Sequence, residues 1–298
     1  MKNFCGLVSI VGRPNVGKST LLNRLLEQKI SITSRKSQTT RNNILGIKTK
    51  GNHQMVFIDT PGVHINASKV MNKVLNQTAI GAIEDADLII FMLQRNKINT
   101  LDELILERLK ATQTKKICVI NKVDQVESIN SLLPVIEKLG SENEFAEIIP
   151  ISAKTGKNIN ELENMICENL PANNHLYDSN TKFLAKESFM ISEIIREKII
   201  RFLGQELPHE TYVQLQKLED NEDIINIDAE IIVARDSQKG IVVGKNGAKL
   251  KKIGEKARID LEKFFNKKVF LKTWVKTKKN WNNDSDFISS LGIGSLYD

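Results

Sequence analysis

Gly12-Arg13-Pro14-Asn15-Val16-Gly17-Lys18-Ser19 follows an apolar run at 7–11 and leads into Thr20-Leu21-Leu22-Asn23-Arg24-Leu25-Leu26. A buried strand, a tight loop with a glycine at each end, and a helix with apolar residues at helical spacing are the setting a phosphate-binding loop needs. Gly12 and Gly17 let the backbone wrap a phosphate, and the N–H groups at the helix start supply oriented donors. Lys18 can reach the outer phosphates, and Ser19 offers its hydroxyl to Mg²⁺, a cation that takes oxygen ligands. The stretch Gly12 to Thr20 is therefore expected to bind a nucleoside triphosphate. The bland alternative is a chance Gly/Lys-rich turn, and the strand and helix on either side weigh against it.

Outward from this loop, short apolar runs at 44–47, 55–58, 88–93, 117–120 and 148–151 alternate with helical patterns at 17–28, 68–84, 101–112, 128–140 and 158–169. The alternation predicts an α/β domain, a mostly parallel sheet with helices on both faces. The stretch 44–58 reads as a hairpin turning at Lys50-Gly51-Asn52, which makes one strand antiparallel. Ligands on such sheets sit beyond the carboxyl ends of the strands, where the Gly12–Ser19 loop lies.

Two further stretches at strand ends select the base. Asn121-Lys122-Val123-Asp124 follows the run 117–120, and the Asp124 carboxylate, an acceptor-only group, matches the two adjacent N–H donors on guanine's edge. Asn121 can brace the loop and reach the base, while the aliphatic stem of Lys122 can cover one ring face. Ser152-Ala153-Lys154 follows the next run and adds a backbone N–H near Ala153 for guanine O6. Each is weak alone; their order and their places at successive strand ends make the combination specific. Asp59-Thr60-Pro61-Gly62 closes the run 55–58, so that Asp59 can hold magnesium through water and the Gly62 N–H can meet the γ-phosphate. The polar stretch 29–41 contains Gln38-Thr39-Thr40-Arg41. A threonine that ligates magnesium only while the γ-phosphate is present makes such a segment a switch, and Thr40, next to Arg41, is expected over Thr39 to be that threonine. The metal ligands are then Ser19, Thr40 and Asp59, and the groups acting on the γ-phosphate are Lys18, Thr40 and Gly62.

From 170 to 181 the sequence is polar, broken by Pro171, and lacks any sustained period. This predicts a domain at 1–170, a linker at 171–182, a second domain at 183–280 and a tail at 281–298. The second domain reads as helix, strand, strand, helix, helix, strand: an amphipathic helix through Phe189 and Phe202, strands at 211–218 and 225–234, a glycine-marked loop, a helix at 248–265 and a strand at 269–275. Residues 235–279 hold 15 Lys/Arg against 4 Asp/Glu, a surplus of 11 that exceeds the +7 of the whole chain, so the basic field is local. Within it, Gly244-Lys245-Asn246-Gly247 allows close approach of a sugar-phosphate backbone. Ile241, Val242 and Val243 offer an apolar floor, and Lys245 and Lys249 supply charge. Ile241, Gly244, Lys245, Asn246, Gly247 and Lys249 are the expected RNA contacts. The loop resembles a KH module of type II, whose grip is on about four nucleotides of single strand. Most of the other lysines on the helix read as a solvated face, Trp274 reads as half-buried, and His175 and His209 have no partner at catalytic or metal spacing. The tail carries a small apolar cluster at Phe287, Ile288, Leu291 and Ile293 whose docking place the sequence does not show.

The chain has 298 residues, 41% of them hydrophobic, enough for two cores. Cys5, Cys118 and Cys167 are widely spaced in or beside apolar runs and read as core residues of a reduced, cytoplasmic protein. Met1 to Gly6 is expected to pass straight into the first strand, leaving no room for a signal peptide, and no run reaches the length of a membrane span. Contact with a membrane surface stays open.

GRPNVGKS (12–19), QTTR (38–41), DTPG (59–62), NKVD (121–124) and SAK (152–154) resemble the guanine-nucleotide motifs of the translation-factor-related GTPases. KISITSRKSQTTR (29–41) and SEIIREKIIRFLGQELPH (192–209) are similar to the Era family in particular, and the likeness runs over nearly the whole chain. The resemblance implies a P-loop GTPase domain followed by a smaller α+β KH-type domain. It implies GTP as substrate, Mg²⁺, and RNA rather than DNA as partner; the related potassium-activated GTPases suggest K⁺ near Asn15, and a monomer is expected. The RNA that the resemblance implies is rRNA near the 3′ end of the small-subunit molecule, with a role in assembling the 30S-type subunit; a peripheral place at the cytoplasmic membrane stays open beside it. One departure matters: Val63 stands where many small GTPases carry a glutamine that orients water, so catalysis is expected to rest on positioning and electrostatics, and turnover to be slow. Arg13 and Arg41 are cations that could assist. A GTP-responsive scaffold whose turnover is incidental would use the same motifs, and phosphate release with and without RNA separates the two.

Overall fold

The computed structural model describes residues 2–32, 44–59, 70–95, 97–142, 144–203 and 210–291. The apolar runs form β1 (Phe4–Val11), β2 (Ile44–Lys50), β3 (His53–Asp59), β4 (Leu88–Gln94), β5 (Lys115–Asn121) and β6 (Glu147–Pro150). A two-residue strand, β7 (Phe183–Leu184), completes a sheet in the order β6-β5-β4-β1-β3-β2-β7. Strands β1, β3, β4, β5 and β6 run parallel, and β2 is antiparallel to β3 with Lys50 opposite His53. The hairpin turns at Gly51, as its sequence predicts.

The helices of this half are α1 (Lys18–Leu25), α2 (Val70–Glu84), α3 (Thr100–Lys110), α4 (Leu133–Glu142) and α5 (Ile159–Asn169). Helices α1 and α5 cover one face through Val8, Ile10, Met55, Phe57, Ile90 and Val119. On the other face, Ile89, Phe91, Leu93, Cys118 and Ile120 pack with α3, α4 and the end of α2. Residues 88–93 of β4 alternate between these cores and are all buried, which is why the strand reads as an unbroken apolar run. Each such side chain contributes about 1.5–3 kcal/mol on burial.

The polar stretch after α5 is laid along this sheet. Cys5 N–H donates to the Pro171 carbonyl at 3.1 Å and Ile47 N–H to that of Lys182 at 2.8 Å. Gln54, fully buried on β3, accepts from Leu176 and Tyr177 N–H and donates to the Tyr177 carbonyl. Strand β7 then pairs with β2 at Leu45 and Gly46.

The rest of the chain forms α6 (Glu187–Phe202), β8 (Thr211–Asp220), β9 (Ile224–Val233), α7 (Asp236–Val243), α8 (Ala248–Phe265) and β10 (Lys268–Thr277). The sheet order is β10-β9-β8, with β9 parallel to β10 and antiparallel to β8. The inward faces of the strands meet Ile191, Ile195 and Ile199 of α6 and Ile253, Ala257 and Leu261 of α8. Helix α7 takes up Ile241, Val242 and Val243, the residues read as an apolar floor beside the glycines. Its start is tied by Gln238, whose Oε1 accepts from Ala234 and Arg235 N–H at 2.9 Å. The tail makes a 3₁₀ turn at Trp281–Asn283 and a helix α9 (Ser285–Ser290), and packs Trp281 and Ile288 against Met71 and Leu75 of α2 and against Ile232 and Ala234. Among the described residues no helix is long and apolar enough to cross a membrane.

Candidate functional site

The loop between β1 and α1 is shaped by what stands behind it. Gly17 has φ 111°, and a Cβ there would lie 2.3 Å from Asn121 Nδ2, so only glycine fits. Lys18 is buried at the first turn of α1, with its ammonium donating to the carbonyls of Gly12 at 2.9 Å and Arg13 at 3.2 Å. Burial pulls its pKa down to about 8, against the pull of the nearby Asp59 carboxylate. Ser19 is buried beside it, and Thr20 is half-buried in the same turn. Asp59, fully buried at the end of β3, lies opposite Ile10 in register, next to the point where the loop leaves β1. Its Oδ2 accepts from Ser31 Oγ at 2.7 Å. A serine hydroxyl and a buried carboxylate are the hard oxygen donors that Mg²⁺ takes, so the donor set fits that ion.

Asn23 fixes the chain that leads into residues 33–43. Its Oδ1 accepts from Ile30 and Ser31 N–H at 2.9 Å each, and its Nδ2 donates to the Ser31 carbonyl at 2.8 Å. Arg13 differs from its expected place as an available cation. Its Nε donates to Asp102 Oδ2 at 3.0 Å, and Asp102 is fully buried in the capping box that Asn99 begins at the start of α3. Burial raises the Asp102 pKa; the Asn99 N–H and the Arg13 cation work against the rise. Pro14 is half-buried, Asn15 is exposed at φ 66°, and Val16 is buried. Thr40, Thr60, Pro61 and Gly62 lie outside the described residues, as do Gln38, Arg41, Val63 and His209.

At the end of β5, Asn121 ties three segments together. Its Nδ2 donates to the Val16 carbonyl at 2.8 Å, and its Oδ1 accepts the Ala153 N–H at 2.9 Å. The Ala153 N–H, expected to face a base, is thus donated to Asn121. Lys122 has φ 66°, and its ammonium crosses to the Asn15 carbonyl and to Gln94 Oε1, 2.6 Å each. Burial lowers its pKa, with Arg95 and Arg13 adding to the effect. Val123 is buried and donates its N–H to the Ile151 carbonyl at 3.2 Å. Asp124 is exposed, one oxygen held by the buried Ser152 hydroxyl at 2.6 Å. Ser152 Oγ also accepts from Thr155 N–H at 3.2 Å, and Lys154 is exposed on the same turn. Expected motif residues from four segments therefore meet at the carboxyl ends of β1, β3, β5 and β6.

In the other half, α7 ends and α8 begins through Gly244, Lys245, Asn246 and Gly247. Gly244 has φ 72° and ψ 177°. A Cβ on it would lie 2.6 Å from Lys249 Cβ. Gly247, at φ 77°, has no heavy atom within 4 Å of such a position. Lys245 and Asn246 are exposed and Lys249 half-buried. Ile241 is exposed, whereas Val242 is fully buried in the domain core and belongs to no groove floor. Trp274 is half-buried with its Nε1 donating to Glu230 Oε1 at 2.9 Å.

Residues 7–122 match the family model described as 50S ribosome-binding GTPase, and residues 206–282 the one described as KH domain. GTPase Era of Glaesserella parasuis is 46% identical over 292 residues, covering 98% of this chain and 97% of that protein. GTPase Era of Pseudomonas syringae pv. tomato is 44% identical over the same length, with the same coverage. The chain belongs to the GTPase Era family. A crystal structure of Era in complex with MgGDPNP and nucleotides 1506–1542 of 16S ribosomal RNA is 36% identical, with a TM-score of 0.94 over 97% of this chain and 99% of that one. An Aquifex aeolicus Era variant bound to GDP and AlF₄⁻ is 35% identical, with a TM-score of 0.93 over 98% and 99%.

Within this Era-family chain, sequence reading missed the residues that hold the site from behind. Asn23, Asp102 and Gln94 are polar residues on or beside apolar helices and strands, and Arg24 of α1 donates to the carbonyls of Ala153 and Lys154. The available signal was a polar residue at a position the helical or strand period assigns to the core, as at Asp102 and Gln54.

Proposed function

We propose that this chain is a GTP-hydrolysing switch that binds single-stranded rRNA near the 3′ end of the small-subunit molecule and acts in assembly of the small ribosomal subunit. The observation that carries the reading is the full-length likeness to an Era structure that holds both MgGDPNP and a 16S rRNA segment. The domains are proposed at 1–170, with 171–182 as linker, and 183–280, with a tail at 281–298. Gly12 to Thr20, Asp59 to Gly62, Asn121 to Asp124 and Ser152 to Lys154 form the nucleotide site, and Ile241, Gly244, Lys245, Asn246, Gly247 and Lys249 the RNA contact.

Lys18 and the N–H groups of the loop hold the β- and γ-phosphates, and burial of Lys18 strengthens each interaction it makes there. Ser19, Asp59 and Thr40 would hold Mg²⁺, which when bound draws charge from the phosphate oxygens. Ser152 orients Asp124, Asn121 braces the Gly12–Ser19 loop against the Ser152–Lys154 turn, and Lys122 spans the two. Arg13 is committed to Asp102, so the charge on the phosphates falls to Lys18 and the loop, with K⁺ beside Asn15 as the further cation. Intrinsic turnover is slow.

Asp124→Asn tests the reading. The exchange replaces one acceptor by a donor, so GTP should bind roughly tenfold to a hundredfold more weakly, while XTP, which offers a carbonyl there, binds more tightly. Competition by ATP as strong as that by GTP in the unaltered protein would end the guanine assignment. Failure to bind a 16S 3′-end oligonucleotide in either nucleotide state would end the RNA assignment.

A further inference from the structure

Arg24 stands in the last turn of α1, about two turns beyond Gly17, and reaches across to the turn after β6. Its Nε donates to the Ala153 carbonyl at 3.2 Å and its Nη2 to the Lys154 carbonyl at 2.6 Å. On that turn, the N–H of Ala153 goes to Asn121 Oδ1 at 2.9 Å and the N–H of Thr155 to Ser152 Oγ at 3.2 Å. The N–H between them belongs to Lys154. There are no cis peptides among the described residues, so the Lys154 N–H points opposite to the Ala153 carbonyl of the same peptide plane. Holding that carbonyl from α1 therefore aims the Lys154 N–H away from the guanidinium.

We propose that Arg24 is a positioning residue for purine recognition: by clamping the 153–154 and 154–155 peptides it presents the Lys154 N–H to the carbonyl oxygen at position 6 of the base. The proposal rests on the reading that this site takes a guanine nucleotide. Asp124, oriented by Ser152, reads the N–H edge of the ring, and the Ser152–Lys157 turn supplies the 6-oxo donor. The clamp also links the helix that begins at the phosphates to the loop that reads the base. Arginine suits the position because its planar fork spans two carbonyls at once, which a single ammonium cannot do with the same geometry.

The test uses full-length Arg24→Ala and Arg24→Lys, ribose-labelled fluorescent GDP and IDP, and inorganic triphosphate as a competitor without a base. Arg24→Ala should release GDP about 5–20-fold faster, the scale of losing such hydrogen bonds at a partly exposed site. IDP, which keeps the 6-oxo group and lacks the 2-amino group, should speed up by the same factor, and Arg24→Lys should fall between. Inorganic triphosphate should compete as well as before, and KM for GTP should rise by a larger factor than kcat falls. Unchanged GDP release from a folded Arg24→Ala protein, with guanine preference intact in the unaltered chain, would overturn the proposal alone. Equal weakening of triphosphate would also overturn it, since Arg24 would then brace α1 as a whole. Absence of any guanine preference in the unaltered chain would instead overturn the functional reading beneath it.

Discussion

Lys18 is an ammonium kept out of water by the loop that it serves, and its pKa of about 8 is the measure of that burial. An unfolded chain holds this proton to about pH 10.4. Burying the charged form therefore works against the fold below pH 8, and the penalty is relieved as pH rises from about 8 to 10. Nucleotide binding has the opposite sign: a triphosphate favours the ammonium and raises its pKa, so binding above pH 8 takes up a proton. GTP affinity should be level below about pH 7.5 and then weaken toward a limit of about tenfold per pH unit. Titration calorimetry in buffers of different ionisation heat should show the proton uptake directly. Lys18→Arg keeps a cation that does not titrate there, so any slope left in that variant belongs to guanine's own N1. The same slope in both proteins would remove Lys18 from the profile.

The two glycines of the loop between α7 and α8 look alike in the sequence and differ in the structure. A side chain at Gly244 would drive a Cβ into Lys249 and so disturb the first turn of α8, while Gly247 faces open space in the left-handed region that Asp tolerates at a cost of about 1–2 kcal/mol. Gly247→Asp should keep the fold and lower RNA affinity sharply through its charge, with GTP turnover in the absence of RNA retained. Gly244→Asp should also lower the melting temperature. Lys256→Ala, an exposed change on α8, should weaken binding uniformly across RNA sequences and reduce the salt slope by about one. RNA affinity at several salt concentrations, with a melting curve for each variant, checks all three; tight binding by a folded Gly247→Asp protein would move the RNA site elsewhere. At this scale much was legible. The strands β1 to β6 and the order of elements in the second half follow from apolar period and punctuation, because burial on a sheet imposes period two or an unbroken run. Helix α7 had its place in that order, but its residues were not assigned, because its second turn, Gly240-Ile241-Val242-Val243, is glycine followed by β-branched residues, and capping by Gln238 outweighs that weak propensity. The pairing of β7 was hidden because two residues carry no period at all. In the proposed nucleotide site the candidate residues were readable as motifs, whereas Arg24, Asn23 and Asp102 act through contacts 7 to 130 positions away in the chain, and no local pattern reports those.

The two halves of the molecule meet through contacts of opposite character. One is polar: Glu197 of α6, nearly fully buried, accepts from Lys29 at 2.6 Å, Arg201 at 2.7 Å and Lys198 at 3.2 Å. Lys29 is half-exposed and two other cations remain on the carboxylate, so Lys29→Ala should cost less than about 1 kcal/mol. The other contact is apolar and runs through the tail. Trp281 is fully buried, its Nε1 donates to the Glu210 carbonyl at 3.1 Å, and it shares a cluster with Met71 and Leu75 of α2 and Ile232 and Ala234 at the end of β9. Helix α2 begins at Val70, shortly after Asp59-Thr60-Pro61-Gly62, so the tail rests on the element that follows the segment proposed to meet the γ-phosphate. Trp281→Ala should destabilise by about 3–5 kcal/mol, because it empties a cavity between elements that cannot close independently. It should also change the form of unfolding: a single calorimetric transition in the unaltered chain should split into two, while Lys29→Ala keeps one. Met71→Ala and Trp281→Ala combined should fall short of additive by about 0.5–3 kcal/mol, the range for residues in contact. Full additivity, with one transition retained in both single variants, would show that the tail stabilises only the half it belongs to, and that other contacts, such as Glu197 with its cations and β7 on β2, join the two.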